Sequence, residues 1–259
     1  MSDRRQFLQF GGAAAAAALA GLLPASTKAA TTADGTALAV RPASTVGGLA
    51  ELEARSGGRL GVTWWHPASG RRLGHRQDER FPMCSTFKFV LCAAVLGRVD
   101  AGAFSLDKRV PVHAADLVAH SPGTTRHVGK DMAVRDLCRT TMITSDNAAA
   151  NLLLRLIGGP PAVTTFLRGH GDEVTRNDRF EPDMNAFAPG DPRDTTSPAA
   201  MAGNLQRFVL GDALSAGARQ QLADWLIDNE TGDQRLRAGI PKGWRVGDKT
   251  GSNGMDTTN

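Results

Sequence analysis

Ser85-Thr86-Phe87-Lys88 opens an apolar run, Phe89-Val90-Leu91-Cys92-Ala93-Ala94-Val95-Leu96-Gly97-Arg98-Val99, in which Phe87, Leu91, Ala94 and Leu96 recur at helical spacing. The pattern predicts a largely buried helix from Ser85 through Val99, with Phe81-Pro82 stopping extended structure just before it. On such a helix Ser85 and Lys88 share one face, where a deprotonated amine can take a serine proton. Ser-x-x-Lys alone is weak evidence, because an N-cap serine and a solvated lysine spell the same pattern.

Outward from this helix, Val46 to Leu52 carries an apolar stripe at helical spacing. Leu60 to Trp65 and Arg71 to Leu73 flank the turn Pro67-Ala68-Ser69-Gly70 and read as a hairpin. Helical patterns follow at Val134 to Thr140, Ser145 to Leu156, Pro161 to Arg168, Pro198 to Leu210 and Ala216 to Asn229. Asn177 to Thr196 holds four Asp, three Pro, one Gly and two Arg, too broken for a regular element and too long for a casual connection, so it reads as a functional loop. Trp244 to Gly251 reads as a late strand. Strands at both ends with helices between them predict an α+β fold.

The 259 residues leave ample length for a core, and 41% hydrophobic with 22% charged residues excludes disordered and collagen-like classes. Aromatics make up 5% with no Tyr, and no run of five like charges occurs, which argues against a nucleic-acid groove. Arg4-Arg5 precedes an uncharged run from Gln6 to Ser26, and Ser2-Asp3-Arg4-Arg5-Gln6-Phe7-Leu8 resembles a twin-arginine export signal. Residues 1–29 are therefore expected to be a leader read by the twin-arginine export machinery, and residues 30–42 a tether. Its removal takes Arg4, Arg5 and Lys28 against Asp3, so the formal net charge falls from +4 to +2 and says little about partners. Cys84, Cys92 and Cys138 remain, of which two can pair in an oxidising compartment; spacing does not say which. The six His are dispersed, so no metal site is expected.

The company of Ser85 and Lys88 changes their weight. Ser145-Asp146-Asn147 lies sixty residues on, and Lys249-Thr250-Gly251 stands near the end. These three ordered motifs resemble those of the class A serine β-lactamases, from about Leu49 to Asn259. The resemblance implies Ser85 as nucleophile, Lys88 as its proton acceptor or relay, the backbone amides of Ser85 and Ser252 as oxyanion hole, and Ser145 as proton donor to the leaving lactam nitrogen. It further implies that Asn147 holds the substrate amide side chain and that Lys249, Thr250, Gly251 and Ser252 line its carboxylate. Glu181-Pro182-Asp183-Met184-Asn185 resembles the family's omega loop, with Glu181 as general base and Asn185 beside it on the deacylating water, and with Arg179 and Asp194 closing the loop.

His120 stands where many relatives place an aromatic wall, and Arg235 resembles an alternative supplier of the guanidinium that supports the substrate carboxylate. Cys92 and Cys138 resemble positions joined by a disulfide in many relatives, and that pairing is expected here. The implied fold is an all-helical domain, 76–196, beside an α/β domain built from 43–75 and 197–259, whose antiparallel sheet combines early and late strands around a catalytic groove. Relatives continue well beyond the counterpart of Lys249, so the resemblance implies that the last two sheet strands and terminal helix are missing. The expected activity is hydrolysis of penicillins and cephalosporins by a cofactor-free, periplasmic or secreted monomer, conferring β-lactam resistance. A D-alanyl-D-alanine peptidase or penicillin-binding protein shares the serine and lysine, and an inactive truncated fragment is the non-enzymatic alternative; Glu181 favours the hydrolase, because a carboxylate that activates water turns an acyl-enzyme over.

Overall fold

In the computed structural model, which describes residues 45–259, the chain begins with helix α1 (Thr45–Ser56). The expected leader and tether lie outside the described residues. Strands β1 (Val62–His66) and β2 (Arg71–His75) form the antiparallel hairpin, with Val62 opposite His75 and His66 opposite Arg71. Its turn is the expected one: Ser69 N–H donates to His66 O, and Gly70 adopts φ +67°, a conformation that a side chain disfavours. Along β1, Trp64 and His66 are exposed while Thr63 and Trp65 are half-buried, as alternation across a pleat requires.

Strand β3 (Phe81–Pro82) pairs with a two-residue strand at Thr195–Thr196. This corrects the expectation that Phe81-Pro82 ends extended structure; proline tolerates an edge, where its missing N–H costs no ladder bond. Met83 N–H continues the pairing by donating to Asp194 O at 3.0 Å. A second unforeseen hairpin joins β4 (Arg109–Pro111) to β5 (Asp131–Ala133), and Thr195–Thr196 is therefore β6.

After a 3-10 turn at Cys84–Thr86, helix α2 (Phe87–Asp100) buries every residue from Phe87 to Leu96, as a helix apolar on all sides must. It is surrounded by α3 (Val134–Ile143), α4 (Asn147–Ile157), α5 (Pro160–Gly169) and α7 (Ala216–Ile227). Helix α6 (Pro198–Leu205) runs into a wide π turn at Gln206–Leu210, where Phe208 stacks on Phe166 of α5 at 5.1 Å between ring centres. The β1–β2 hairpin packs on α1 and α6.

Among the described residues, the strands form three separate two-stranded ladders, and none joins the early hairpin to the end of the chain. The expected late strand at Trp244–Gly251 does not form. An extended segment becomes a strand only where a neighbour supplies ladder bonds, whereas here Asp248 N–H donates to Leu226 O at the end of α7. The Asp248 carboxylate is held by Asn229 Nδ2 at 2.7 Å and by the Arg237 guanidinium. Pairing in this region is confined to a bridge between Ser252 and Thr258.

Asp146, the N-cap of α4, stitches the helical region together. It is fully buried; Oδ1 accepts from Ala149 N at 2.9 Å, and Oδ2 accepts from Gly123 N at 2.8 Å and Thr124 N at 2.9 Å. Asp146→Ala leaves three buried N–H groups unpaired and is expected to cost about 3 kcal/mol or more. Urea denaturation checks this: the midpoint should fall with the slope unchanged, and Asp146→Asn, which keeps one acceptor, should lose less.

Candidate active site

The 3-10 turn places Ser85 at the mouth of α2, with Cys84 before it at φ +44°, a left-handed conformation that disfavours side chains other than glycine. One helical turn on, the fully buried Lys88 ammonium donates to Ser85 Oγ at 2.8 Å, Ser145 O at 2.7 Å and Asn147 Oδ1 at 2.5 Å. Ser145 Oγ lies at 3.2 Å and Glu181 Oε1 at 3.3 Å from the same nitrogen. Burial pushes the Lys88 pKa down from the ordinary lysine range, and the Glu181 carboxylate opposes the shift.

Ser145 sits at φ +61° just before the Asp146 cap, which turns its hydroxyl toward a second ammonium: Lys249 Nζ, also at 3.2 Å. Burial, followed by repulsion from Lys88, lowers the Lys249 pKa to about 7. Gly251 lets this last segment approach the serine turn, because a Cβ there would stand 2.8 Å from Met83 O and 3.1 Å from Thr86 N. Gly251 and Asn253 direct their N–H groups to Asn259 and Thr257, so by antiparallel alternation the Ser252 N–H points away from that pairing. Thr250 Oγ1 shares a hydrogen bond of 2.5 Å with Thr231 Oγ1, and the Arg235 guanidinium donates to Thr258 Oγ1 and Asn259 O. His120, at φ +59°, is exposed and anchors its Nε2 on Thr144 O at 2.9 Å, while its carbonyl accepts Asn147 N–H.

The functional loop expected over Asn177 to Thr196 runs to Asp194, after which β6 begins. Glu181 is buried on it, and Asn185 Nδ2 donates to Glu181 Oε2 at 2.5 Å. Asn185 Oδ1 is buried without a protein donor, and Glu181 Oε1 is buried with the Lys88 ammonium 3.3 Å away as its partner. Arg179 Nε meets Asp194 Oδ2 at 2.6 Å across the neck of the loop. The structure thus brings Ser85, Lys88, Ser145, Asn147, Glu181 and Lys249 into one polar cluster, with Asn185 on Glu181, with Thr250, Gly251 and Ser252 on the segment that follows Lys249, and with Arg235 reaching that segment from the chain before it.

Motif reading gives no role to three contributors. Asp146 lies inside the Ser145-Asp146-Asn147 motif and is the cap described above. Asn151 is buried in α4 and clamps the Glu181 backbone from both sides, its Nδ2 donating to Glu181 O and its Oδ1 accepting from Glu181 N, each at 2.9 Å. It lies four residues after Asn147, one helical turn along the same face, and that spacing is the signal that could have found it. Asn177, the third, has no such signal.

The expected disulfide is overturned. Cys92 and Cys138 are free, buried thiols, and Cys92 Sγ faces the Cys138 carbonyl at 3.9 Å rather than closing a bond. Burial pushes the Cys138 thiol well up, and the neighbouring Cys92 thiol adds to the shift. Cys84 is likewise free and buried, its pKa pushed up to about 12. Among the described residues, no group of three or more His, Cys, Asp or Glu side chains is arranged to hold a metal, and no helix is long and apolar enough to cross a membrane.

The model of the beta-lactamase enzyme family matches residues 47–259. The chain is 62% identical over 259 residues to Beta-lactamase L2 of Stenotrophomonas maltophilia, spanning all of this chain and 85% of that protein. It is 50% identical over 203 residues to Beta-lactamase AST-1 of Nocardia asteroides, spanning 78% of this chain and 66% of that one. Among solved structures, an ancestral class A beta-lactamase superposes with a TM-score of 0.81 at 62% identity, covering 83% of this chain and 82% of the other. Structure and sequence agree over the same span, and the chain belongs to the beta-lactamase enzyme family, in its class A serine branch.

Proposed function

We propose that the chain hydrolyses the β-lactam amide of penicillins and cephalosporins through an acyl-enzyme on Ser85, and so confers β-lactam resistance. The observation that carries this reading is the single buried ammonium of Lys88, within 3.3 Å of the nucleophile Ser85, the hydroxyl of Ser145 and the carboxylate of Glu181. Deprotonated, Lys88 takes the Ser85 proton as Oγ adds to the lactam carbonyl, and the backbone N–H groups of Ser85 and Ser252 receive the developing oxyanion. The C–N bond then breaks, Ser145 protonates the departing nitrogen, and Lys88, 3.2 Å from Ser145 Oγ, gives that hydroxyl the proton it took from Ser85, with Lys249 also 3.2 Å from it.

In the second half, Glu181 takes a proton from water and the hydroxide adds to the ester. As the C–Oγ bond breaks, Lys88, 3.3 Å from Glu181 and 2.8 Å from Ser85 Oγ, takes that proton from Glu181 and gives one to Ser85 Oγ, restoring both groups. Asn185 Oδ1, which has no protein donor, and Glu181 Oε1, whose one protein partner is the Lys88 ammonium at 3.3 Å, suit the two hydrogens of that water. Asn147 binds the substrate's amide side chain, and Lys249, Thr250, Gly251, Ser252 and Arg235 attract its carboxylate. His120 walls the mouth, and the Arg179–Asp194 pair closes the loop. The groove lies between a helical domain, 76–196, and an α/β domain from 43–75 and 197–259, and the monomeric protein reaches the periplasm or medium by the twin-arginine route.

Glu181→Ala should still acylate stoichiometrically but lose about 10²–10⁴-fold in kcat, with acyl-enzyme accumulating in intact-protein mass spectra. Acylation of the unaltered protein without nitrocefin turnover would point instead to a penicillin-binding protein, and no acylation at all to a dead site.

The second expectation concerns pH. Lys249 attracts a carboxylate only as ammonium, and its pKa near 7 means that the charge is present below that pH and lost above it. Hence kcat/KM for a carboxylate-bearing penicillin should decline as pH rises past about 7, while Lys249→Arg, which stays charged throughout, should flatten that limb. An identical alkaline limb in both proteins would remove Lys249 from the role.

A further inference from the structure

Asn177 is almost wholly inaccessible, 1% exposed, at the first position of the loop that carries Glu181. Its backbone is clasped to α5: Asn177 N–H donates to Thr164 Oγ1 at 2.9 Å, and Thr164 Oγ1 donates to Asn177 O at 3.2 Å. Its side chain reaches across the loop's neck, where Nδ2 donates to Asp194 Oδ1 at 2.9 Å. The same oxygen accepts Asp178 N at 2.7 Å and Arg179 N at 3.1 Å, while Asp194 Oδ2 takes Arg179 Nε. One buried carboxylate is thus gripped by two side chains from the opposite side of the neck, one charged and one neutral.

Two further observations give the neutral contact weight. Asn177 Oδ1 is buried without a partner, so the amide leaves its oxygen unpaired to keep nitrogen against the carboxylate. Asp194 is held at φ +55°, a conformation that a non-glycine residue keeps only when its surroundings impose it. Asp194 also passes the constraint to the serine turn, because its carbonyl accepts Met83 N–H.

We infer that Asn177 is a positioning residue for deacylation: its amide is a second, charge-independent lock on Asp194 that keeps Glu181 in register when the Arg179 contact opens. This rests on the reading of Glu181 as the base of the deacylation step. Asn177 touches no reacting atom and acts through Asp194 and the loop backbone. Since Arg179 and Asn177 hold the same carboxylate, their effects should couple rather than add.

The experiment is a cycle of Asn177→Leu, Arg179→Ala and the double variant in the full chain, with single-turnover acylation and deacylation of a penicillin followed separately. Asn177→Leu should slow deacylation by about threefold to thirtyfold, within what small misplacements cost, leave acylation within about twofold, and so lower kcat and KM together. The double variant should lose more than the product of the single losses. Asn177→Asp supplies a readout that loss of packing alone would not move. It sets a carboxyl against Asp194, among Arg176, Asp178 and Arg179, and only its protonated form can donate as the amide does. Deacylation by this variant should therefore recover toward low pH, whereas Asn177→Leu should keep the pH profile of the unaltered protein.

Backbone hydrogen exchange over residues 178–186 of the free proteins tests the lock without any turnover, and Asn177→Leu should exchange faster by about tenfold. Unchanged deacylation and unchanged exchange in Asn177→Leu, or a double variant no worse than Arg179→Ala, would overturn the inference. Failure of the unaltered protein to turn over penicillin, with exchange still accelerated by Asn177→Leu, would instead overturn the role of Glu181 and leave the lock standing.

Discussion

A lysine with no exposed surface lies at the centre of this molecule, and the rest of the site is arranged around the cost of burying it. An ammonium removed from water is destabilising by several kcal/mol unless it is paired and hydrogen-bonded. Lys88 meets oxygen in every direction, from Ser85, Ser145, Asn147 and Glu181. These acceptors come from the serine turn, the loop before α4, the start of α4 and the 177–194 loop, so one charge ties together four parts of the chain. Burial penalises the charged form of Lys88 while Glu181 supports it, so the lysine proposed to take the Ser85 proton is the one whose ammonium the site makes costly.

Convergence of that kind needs backbone that regular elements do not provide. Among the described residues, five that are not glycine adopt positive φ, and four of them, Cys84, His120, Ser145 and Asp194, lie in or beside the site. Each is over-determined by its neighbours. Cys84 lies between β3 and α2, His120 accepts Asn147 N–H and leans on Thr144, Ser145 precedes the buried Asp146 cap, and Asp194 is gripped by the loop it closes. Strain at these positions is tolerated because the surrounding hydrogen bonds hold each turn in place, and the reacting groups gain fixed positions from it.

Much of this was legible in the residues. Apolar periodicity located α2 to α7 to within a few residues, since a buried helical face writes itself into the sequence at fixed spacing. The motifs around Ser85, Ser145 and Lys249 could be read because each is local, whereas Asp146, Asn151 and Asn177 act through partners that are 13 to 30 residues away as well as nearby ones. The two-residue strands β3 and β6 are too short for any alternation to show. Trp244–Gly251 has the composition of a strand, yet pairing is a property of the neighbour as much as of the segment. The thiols of Cys92 and Cys138 failed for a similar reason: sequence position brings two sulfurs near one another, but side-chain direction decides whether they meet.

For the general base that Glu181 is proposed to be, a loop is an unpromising place, because its own backbone supplies few bonds to hold it. The solution here is to fix the backbone of Glu181 and leave its side chain to the reaction. Asn151 occupies both the N–H and the carbonyl of Glu181, and Arg179 and Asn177 close the neck on Asp194 from outside. None of these contacts uses the Glu181 carboxylate. Its two oxygens remain divided between Asn185, which orients one, and Lys88, whose charge lies 3.3 Å from the other. A clamp on the side chain itself would have held the base more directly but filled the acceptor positions that a proton must reach. Holding the main chain instead separates positioning from chemistry, so the carboxylate can stay where the loop puts it and still change its proton.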